Sequence, residues 1–239
     1  MVSIVIVSYN RMDKTLKCIK SIRRHTKIPY KLIIIDNASE KSVKNALIKL
    51  KSKDDSIILI FNDKNLGCGL GRQVGLNYVD TEFVAFLDND MEVTENWLGI
   101  LLSAIEIDSK IGGICASVFR NEKLQLNGRK IVDGKLNMWS EVKGKQECDI
   151  IPGGASIFRA EALRKIEFDP VFTNNFDDLD ICMQLKDLGY KLFNCPGVII
   201  HHDPSSDDFK EKRRAELQVT RSKFGEKWGI ELKWNEVND

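Results

Sequence analysis

The sequence predicts an α/β protein with a mainly parallel sheet, helices on its faces and a small antiparallel insertion. Short apolar runs rich in β-branched residues alternate with segments of helical spacing, as in βαβ units. The run at 83–87 is apolar without interruption, which is typical of a strand buried on both faces of a parallel sheet. Polar residues follow each of the first four apolar runs, and ligands bind beyond the carboxyl ends of strands in such sheets.

The composition is that of a soluble globular protein. The 239 residues are 43% hydrophobic and 30% charged, which suits one large α/β domain or two small ones. With a net charge of +1, we expect no nucleic-acid partner. The apolar runs are too short to span a membrane, and residues 1–7 are predicted to be a strand rather than a signal peptide. Six scattered cysteines without a C-x-x-C pair predict reduced thiols in a cytoplasmic protein.

The first half is predicted to alternate between strands and helices. The first strand is β-branched, and the helix after it places Leu16, Ile19 and Ile22 on one side before Pro29 ends the unit. The elements predicted in this half are a strand at 2–7, a helix at 12–24, a strand at 31–35, a helix at 41–51, a strand at 56–61, a glycine-rich loop that enters a helix near residue 69, and the strand at 83–87.

The second half departs from that alternation. Thr94 is predicted to cap a helix, and the pairs Asn127-Gly128 and Asp133-Gly134 predict two hairpin turns. Pro152-Gly153-Gly154 inside an apolar strand indicates close approach of a ligand or another backbone. The elements predicted here are a helix after Thr94, a strand at 112–119, an antiparallel insertion at 121–139, a strand at 150–158, a helix headed by residues 175–180, and a strand at 191–200 interrupted by Pro196-Gly197.

Asp88 and Asp90 follow the buried strand at 83–87 and are separated by one residue. Residues two apart in an extended chain point the same way, so the two carboxylates form an oxygen-rich pair that suits Mg²⁺ or Mn²⁺. Such a cation would bridge the phosphates of a nucleotide-linked substrate and neutralise charge on the leaving phosphate. A polar turn after a strand explains the Asp-Asn-Asp triplet equally well by itself.

Arg72 and the glycines around it form a second candidate group. Arg72 lies close to a predicted helix start and would add a cationic contact to phosphate oxygens, while the glycines at 67–75 would let backbone N–H groups approach. The alternative for Arg72 is a solvated helix residue. The glycine pattern is weak evidence alone, because a dinucleotide-binding fingerprint follows the first strand and this one follows the third.

Acidic residues and histidines late in the chain supply two further candidates. Asp177, Asp178 and Asp180 head a predicted helix, where one carboxylate would accept a proton from an attacking hydroxyl. Plain N-capping is the alternative, and Asp180 is the one of the three expected to be structural. His201 and His202 end the last strand and point to opposite faces, so one of them would complete a metal shell or be a structural polar residue.

Six motifs resemble, in order and spacing, those of the family-2 glycosyltransferases of the GT-A fold, over about residues 2–204. Each motif is weak alone, whereas their order is specific. They are Ser8-Tyr9-Asn10-Arg11, Ile35-Asp36-Asn37-Ala38-Ser39, Asn65-x-Gly67 through Gly71-Arg72-Gln73-x-Gly75, Leu87-Asp88-Asn89-Asp90, Pro152-Gly153-Gly154-Ala155, and Phe176-Asp177-Asp178-Leu179-Asp180 followed by Leu188-Gly189-Tyr190.

The resemblance implies a role for each matched position. Asp36 would read the nucleobase, and Asp178 matches the catalytic base of the family, with Asp177 where the family usually has Glu. Gln73 stands where Asn is common. The implied donor-binding residues are Ser8, Asn10, Arg11, Asp36, Asn65, Gly67, Arg72, Asp88, Gly153 and Gly154. The implied catalytic residues are Asp178 and Asp177, and the implied metal ligands are Asp88, Asp90, His201 and His202.

The reaction that the resemblance implies is an inverting sugar transfer with Mn²⁺ or Mg²⁺ as cofactor. The donor would be a UDP-, GDP- or dTDP-linked sugar, and the acceptor a hydroxyl or other nucleophile of a saccharide, a lipid-linked sugar or a peptide. Two other functions stay open. A sugar-nucleotide nucleotidyltransferase is disfavoured because the loop at 8–11 has no glycine, and a non-catalytic nucleotide-sugar-binding module is disfavoured by the retained Asp88, Asp90 and Asp178.

We expect a single catalytic domain of the GT-A fold at 1–204, with a nucleotide-binding half at 1–91 and an acceptor half at 92–204. The tail at 205–239 is predicted to contain an amphipathic helix, since Leu217, Phe224 and Trp228 share helical spacing. This helix would either pack on the domain or, through Trp228 and the basic run at 210–214, contact the inner face of the membrane peripherally.

Overall fold

The computed structural model describes residues 1–137, 145–203 and 210–233. The far end of the predicted insertion, at 138–139, and the parts of the predicted tail at 205–209 and 234–239 lie outside these residues. The helices are α1 (Met12–His25), α2 (Lys41–Lys51), α3 (Gly67–Leu76), α4 (Trp97–Ile105), α5 (Ala160–Leu163), α6 (Asp177–Asp187) and α7 (Lys210–Trp228). The strands are β1 (Val2–Ser8), β2 (Tyr30–Asp36), β3 (Ile57–Phe61), β4 (Phe83–Asp88), β5 (Met91–Val93), β6 (Ile111–Arg120), β7 (Lys123–Leu126), β8 (Ile131–Val132), β9 (Lys135–Asn137), β10 (Glu147–Cys148), β11 (Ala155–Arg159), β12 (Lys191–His202) and β13 (Glu231–Lys233).

One large sheet carries the fold and is mainly parallel, as predicted. Strands β3, β2, β1 and β4 lie side by side and run in the same direction. The sheet continues as β11, β6, β12 and β10. β11 is antiparallel to both β4 and β6, whereas β6 and β12 are parallel to each other. β11 follows the antiparallel insertion and not a crossover helix, so it runs against its neighbours.

The register of the three central strands brings their carboxyl ends to one edge. Ser8 at the end of β1 lies opposite Asp36 at the end of β2. On the other side of β1, Val7 lies opposite Asp88 at the end of β4. The polar residues that follow β1, β2 and β4 therefore form one rim, where ligands bind in open α/β sheets.

Both faces of the central strands are buried, as the apolar run at 83–87 predicted. Ile4 and Leu87 belong to the hydrophobic core on one face, and Val5 and Phe86 belong to the core on the other. Successive residues of a strand alternate between the two faces, so one short run contributes to both cores. Five of the six cysteines are buried, and none forms a disulfide within the described residues.

The glycines at 67–75 lie in the predicted helix, which begins two residues before the predicted start near residue 69, and they allow it to pack against the sheet. α3 begins at Gly67. A Cβ on Gly75 would lie 2.3 Å from Val5 Cγ1, and one on Gly71 would lie 2.8 Å from Val7 Cγ1. A larger residue at either position would push α3 away from β1, because protein interiors leave no spare volume for extra atoms.

The antiparallel insertion forms, but one of its two predicted turns is wrong. Asp133-Gly134 joins β8 to β9 with φ of 50° and 69°, as a two-residue hairpin requires. Asn127-Gly128 joins no hairpin: a Cβ on Gly128 would lie 2.1 Å from Cys148 Sγ, so this glycine is needed for close packing. A turn at Asn121-Glu122, also with positive φ, joins β6 to β7 instead.

Two further local predictions have opposite outcomes. Thr94 does not cap α4, because its hydroxyl donates to the Ile199 carbonyl at 2.6 Å while Asn96, with φ of 52°, precedes the helix. The interruption of the last strand is confirmed: the register of β12 shifts between Cys195 and Ile199, around Pro196-Gly197.

α7 packs on the rest of the protein through its apolar residues. Phe224 is buried, and its ring stacks on that of Phe176 with 5.6 Å between the centroids. Trp228 Nε1 donates to Asp180 Oδ1 at 2.8 Å, and Lys227 Nζ pairs with the same oxygen at 2.8 Å. In the described part of the chain, every helix is too short or too polar to cross a bilayer.

Candidate active site

The loops after β1 and β2 are tied together at the rim. Asn10 N donates to Ser39 Oγ at 2.8 Å, and Asn10 Oδ1 accepts from Glu40 N at 2.9 Å. Asn10 and Arg11 both have positive φ, at 53° and 50°, a strained conformation for non-glycine residues that is concentrated at functional sites. The Arg11 carbonyl accepts from two backbone N–H groups in the first turn of α1. The two loops therefore form one fixed wall.

Asp36 is fully buried at the base of this wall, and one of its carboxylate oxygens is unsatisfied. Oδ2 accepts from Ser39 N at 3.2 Å, while Oδ1 has no hydrogen-bond partner among the described residues. Ser8, opposite Asp36 in the sheet, shares a hydrogen bond with Thr15 at 3.0 Å. A buried carboxylate oxygen without a donor is costly, so this unsatisfied group requires an explanation beyond stability.

Asn65 and Gly67 shape the entrance to α3, beside the same wall. Asn65 Oδ1 accepts from Asn37 Nδ2 at 2.8 Å and from Gly67 N at 2.9 Å. Gly67 has φ of 78°, and a Cβ there would lie 2.4 Å from the Thr173 carbonyl oxygen. Only glycine tolerates both conditions, so this residue sets how closely α3 approaches the segment that leads to α6.

Arg72 is buried, and carboxylates engage both of its terminal nitrogens. Nη1 donates to Asp177 Oδ2 at 2.5 Å, and Nη2 donates to Asp88 Oδ1 at 2.7 Å. Burial alone would lower the pKa of Arg72, but Asp88 and Asp177 outweigh it and the pKa rises. The alternative of a solvated helix residue is therefore wrong. The guanidinium joins α3, the end of β4 and the start of α6.

Asp177 and Asp178 begin α6 and have different surroundings. Asp177 is buried against Arg72; burial raises its pKa above that of an ordinary carboxyl group, while the Arg72 charge acts in the opposite direction. Asp178 is half-buried. Its Oδ2 accepts from Gly153 N at 3.3 Å, and its Oδ1 accepts from Leu179 N at 3.0 Å. Two backbone N–H groups thus orient the Asp178 carboxylate.

The pair Gly153-Gly154 lets these side chains meet. A Cβ on Gly154 would lie 2.0 Å from Asp88 Oδ2, and a Cβ on Gly153 would lie 2.6 Å from Arg72 Nη1. Asp88 N also donates to the Gly154 carbonyl at 3.0 Å. The close approach that the glycines predicted is therefore one between the backbone and the charged side chains of the protein itself.

A cleft of about 260 Å³ lies between these groups. Its charged lining includes Arg72, Asp88 and Asp178, and its apolar lining includes Leu126 from β7 and Leu217 from α7. The cleft is consequently bounded by the sheet rim on one side and by the insertion and the C-terminal helix on the other.

Asp90 and His202 lie close together, Asp90 beyond the end of β4 and His202 at the end of β12. Asp90 Oδ2 lies 3.4 Å from His202 Nε2, and His202 Nδ1 lies 2.7 Å from Gln125 Oε1. In the tautomer whose Nδ1–H donates to the Gln125 oxygen, the lone pair of Nε2 faces the Asp90 carboxylate. Two acceptor atoms at this distance repel each other unless a proton or a cation lies between them. Carboxylate and imidazole together suit Mn²⁺.

The described residues include no group of three or more side chains arranged to ligate a metal. A cation at Asp90 and His202 would therefore take the rest of its shell from substrate oxygens and water, as is common for ions bound with nucleotides. His201 is exposed and lies on the other face of β12, so the structure brings His202 and not His201 to Asp90.

Arg129 and Gln125 are residues of this region that the sequence reasoning missed. Arg129 is 6% exposed and lines the cleft. It follows Asn127-Gly128, which was predicted to be a hairpin turn, and it belongs to none of the six motifs. Gln125 belongs to no motif, and its contact with His202 depends on strands that are distant in sequence.

Comparison with solved structures shows the fold. The chain superposes on GalNAc-T7, solved with UDP, GalNAc and Mn²⁺, with a TM-score of 0.72 over 97% of this chain and 55% of that chain, at 16% identity. It superposes on the mannosyltransferase PcManGT from Pyrobaculum calidifontis, solved with GDP-Man and Mn²⁺, with a TM-score of 0.70 over 93% of this chain and 63% of that chain, at 15% identity. The fold is the GT-A fold of glycosyltransferases.

The family is shown by the sequence itself. The model of glycosyl transferase family 2 matches residues 3–167, and the chain belongs to this family. A glycosyltransferase of Methanocaldococcus jannaschii is 36% identical over 92 residues, which are 38% of this chain and 32% of the relative. YwdF of Bacillus subtilis is 25% identical over 233 residues, or 96% of this chain and 84% of the relative.

A third relative carries a more specific name. It is the GalNAc(5)-diNAcBac-PP-undecaprenol beta-1,3-glucosyltransferase of Campylobacter jejuni, which is 28% identical over 179 residues, or 72% of this chain and 56% of the relative. The chain thus spans about a third of the M. jannaschii relative and little more than half of the C. jejuni one. Sequence and structure together therefore show membership of glycosyl transferase family 2 and a GT-A fold.

Proposed function

We propose that this protein is a metal-dependent, inverting glycosyltransferase that moves a sugar from a nucleoside-diphosphate donor to an acceptor nucleophile. We base this on one observation: groups from distant parts of the chain converge on a single cleft. They are the oriented carboxylate of Asp178, the Asp88–Arg72 pair, and the Asp90–His202 pair next to it.

The wall formed by the loops after β1 and β2 would bind the nucleoside. A base N–H that donates to Asp36 Oδ1 would satisfy the buried oxygen. UDP, GDP and dTDP each offer such an N–H, so the geometry is compatible with all three donors. Ser8, Asn10 and Arg11 would line the nucleoside, as the family resemblance implies.

Asp90 and His202 would hold Mn²⁺ or Mg²⁺, with Asp88 beside them. When bound, the cation would neutralise charge that develops on the leaving diphosphate. Gln125 would keep the Nε2 lone pair of His202 directed at the site. Both solved structures described above contain Mn²⁺ together with a nucleotide, which supports this assignment.

Asp178 would act as the general base. As the acceptor oxygen bonds to the anomeric carbon, Asp178 accepts the hydroxyl proton. The bond from that carbon to the phosphate oxygen breaks, and its electron pair leaves on the nucleoside diphosphate. Attack opposite the leaving group inverts the anomeric centre. Arg72 would act indirectly, by fixing Asp88 and Asp177, since both of its terminal nitrogens are already engaged.

The acceptor would be a saccharide, a lipid-linked sugar or a peptide. The name of the C. jejuni relative refers to an undecaprenol-linked acceptor, which supports the lipid-linked class. For the tail, burial of Phe224 and the contacts of Trp228 support a helix packed on the catalytic domain over one that contacts a membrane.

A panel of UDP-, GDP- and dTDP-sugars, incubated with Mn²⁺, with Mg²⁺ or with a chelator, tests the proposal. We expect one donor to release its nucleoside diphosphate in a metal-dependent reaction, and NMR of the product to show an inverted anomeric centre. Failure of every donor and metal combination with folded protein would contradict it. Release of pyrophosphate from a nucleoside triphosphate would favour a nucleotidyltransferase instead.

A further inference from the structure

Arg129 occupies a fixed position in the insertion. Its backbone N–H donates to the Ile150 carbonyl at 2.8 Å, and its carbonyl accepts from Ile150 N at 3.1 Å and from Asp149 N at 2.8 Å. Ile150 precedes Gly153 by three residues, so the backbone that carries Arg129 is held against the segment that orients Asp178. Arg129 thus stands at a defined place on the insertion side of the cleft.

The Arg129 side chain is largely buried, and its guanidinium has no partner among the described residues. The residue is 6% exposed and lines the cleft together with Asp178. Among the described residues, none forms a hydrogen bond or an ion pair with its guanidinium. Burial lowers the pKa of Arg129, and the Asp178 charge compensates only in part. Burying an unpaired guanidinium is costly, and an anion that enters the cleft would remove this cost.

Arg129 and Arg72 differ in their charged partners. Arg72, the other buried arginine of the lining, is already paired with Asp88 and Asp177. Arg129 lines the same cleft as Asp178, and the Asp178 charge acts to raise the pKa of Arg129. An anion at Arg129 would therefore share the cleft with Asp178, the proposed general base.

We propose that Arg129 binds an oxyanion, either a carboxylate or a phosphate, that the acceptor carries close to the hydroxyl that Asp178 deprotonates. The planar guanidinium pairs with two oxygens of either group. Apolar neighbours such as Leu126 and Leu217 limit water in the cleft and strengthen the pairing. The protein would therefore select acidic acceptors over neutral ones. This inference rests on the proposed function for the identity of the acceptor.

Binding of simple sugars to the full chain with Mn²⁺ tests the site directly. The probes are glucuronic acid for the carboxylate, glucose 6-phosphate for the phosphate and glucose as the neutral reference, each titrated by calorimetry or ligand-observed NMR. We expect at least one acidic sugar to bind roughly tenfold or more tightly than glucose. The stronger of the two acidic probes identifies the kind of oxyanion.

Variants then assign the preference to Arg129. In Arg129→Gln the preference for acidic sugars is expected to disappear, while Arg129→Lys keeps part of it. Arg120→Gln, at an exposed arginine of the same region, is the matched control and should behave as the wild type. Because the buried charge is unpaired, Arg129→Gln is expected to melt at the same or a higher temperature, which a purely structural arginine would not allow.

Equal or unmeasurable binding of acidic and neutral sugars by the wild type overturns the inference, and this result needs no variant. A preference that persists in Arg129→Gln also overturns it. Weaker binding of UDP, GDP or dTDP to Arg129→Gln, with acidic-sugar binding unchanged, would overturn the inference. It would mean that Arg129 binds an anion of the donor and not of the acceptor. The donor panel is a separate measurement: if it fails while the Arg129-dependent preference is present, the oxyanion site stands without the proposed function.

Discussion

Arg72 and Asp177 form a buried ion pair, with Nη1 2.5 Å from Oδ2, although 105 residues separate them in the chain. The pair fastens α3 to the first residue of α6 and thereby sets the position of the neighbouring Asp178. The second nitrogen of the same guanidinium holds Asp88. One arginine therefore joins α3, the end of β4 and the start of α6.

Arg72→Lys should lower both stability and activity. Lysine keeps the charge but cannot serve two carboxylates with a rigid fork. We expect a loss of about 3 kcal/mol in the free energy of unfolding, because one buried carboxylate is left unpaired. We also expect a fall of roughly 100-fold in kcat/KM, because Asp88 and Asp178 lose their relative positions. Urea unfolding and steady-state kinetics measure these effects. Arg24→Lys, on the exposed side of α1, is the control.

Gly154→Ala should displace the Asp88 carboxylate. The added Cβ would lie 2.0 Å from Asp88 Oδ2, which is far inside contact distance. We expect kcat to fall by roughly 100-fold, the usual effect of moving a catalytic group by about 1 Å. Gly197→Ala is a matched control, since a Cβ there meets nothing within 4 Å and should leave kcat within about twofold. Equal effects of the two substitutions would show that Asp88 does not need its present position.

His202→Ala and His201→Ala should differ in their response to metal. His202 lies 3.4 Å from Asp90, whereas His201 is exposed on the other face of β12. We expect His202→Ala to raise the Mn²⁺ concentration for half-maximal activity by roughly 10- to 100-fold, and Gln125→Leu to have a smaller effect in the same direction. His201→Ala should titrate with Mn²⁺ as the wild type does. Identical Mn²⁺ curves for both histidine variants would contradict the assignment.

The first four strands and the polar rim could be predicted from sequence because the signals there are local. An apolar run such as 83–87 identifies a buried strand, and parallel strands bring their ends to one edge whatever their neighbours are. The antiparallel β11 could not be predicted in this way, because its direction depends on β4 and β6, which are far away in the chain.

The contacts within the site could not be predicted from the sequence for a similar reason. Arg72 is engaged by two carboxylates that come from different segments, and no local pattern records such a pairing. At Asn127-Gly128, the local hairpin preference is overridden by close packing of Gly128 against Cys148. Arg129 follows this pair and belongs to no motif, so its position in the cleft could not be predicted from the sequence.

Lys227→Met should loosen the contact between α7 and the rest of the protein. Lys227 Nζ pairs with Asp180 at 2.8 Å and with Asp169 at 2.9 Å. The pairs are partly exposed, so we expect a loss of about 1 kcal/mol in the free energy of unfolding near neutral pH. Chemical denaturation measures this loss. Lys49→Met, at an exposed position of α2, is the control and should change little.

The loss caused by Lys227→Met should depend on pH in a defined direction. Burial alone would raise the pKa of Asp169, but Lys227 outweighs it and lowers the pKa, so this contribution is present above about pH 4 and is lost on acidification. Partial burial alone would lower the pKa of Lys227, but Asp180 and Asp169 outweigh it and raise the pKa. That contribution is present below about pH 10 and is lost as the pH rises further. A stability difference that stays constant from pH 3 to pH 11 would count against the ion pairs.

The most direct test of the central claim is the rate of sugar transfer by Asp178→Asn, measured with a donor identified by the panel. Asparagine keeps the shape of the side chain but cannot accept the proton. We expect the rate to fall by roughly 1,000-fold or more, while the affinity for the nucleoside diphosphate and Mn²⁺ stays within about twofold of the wild type. Asp187→Asn, at the exposed end of α6, should transfer at the wild-type rate. Wild-type transfer by Asp178→Asn would contradict the account.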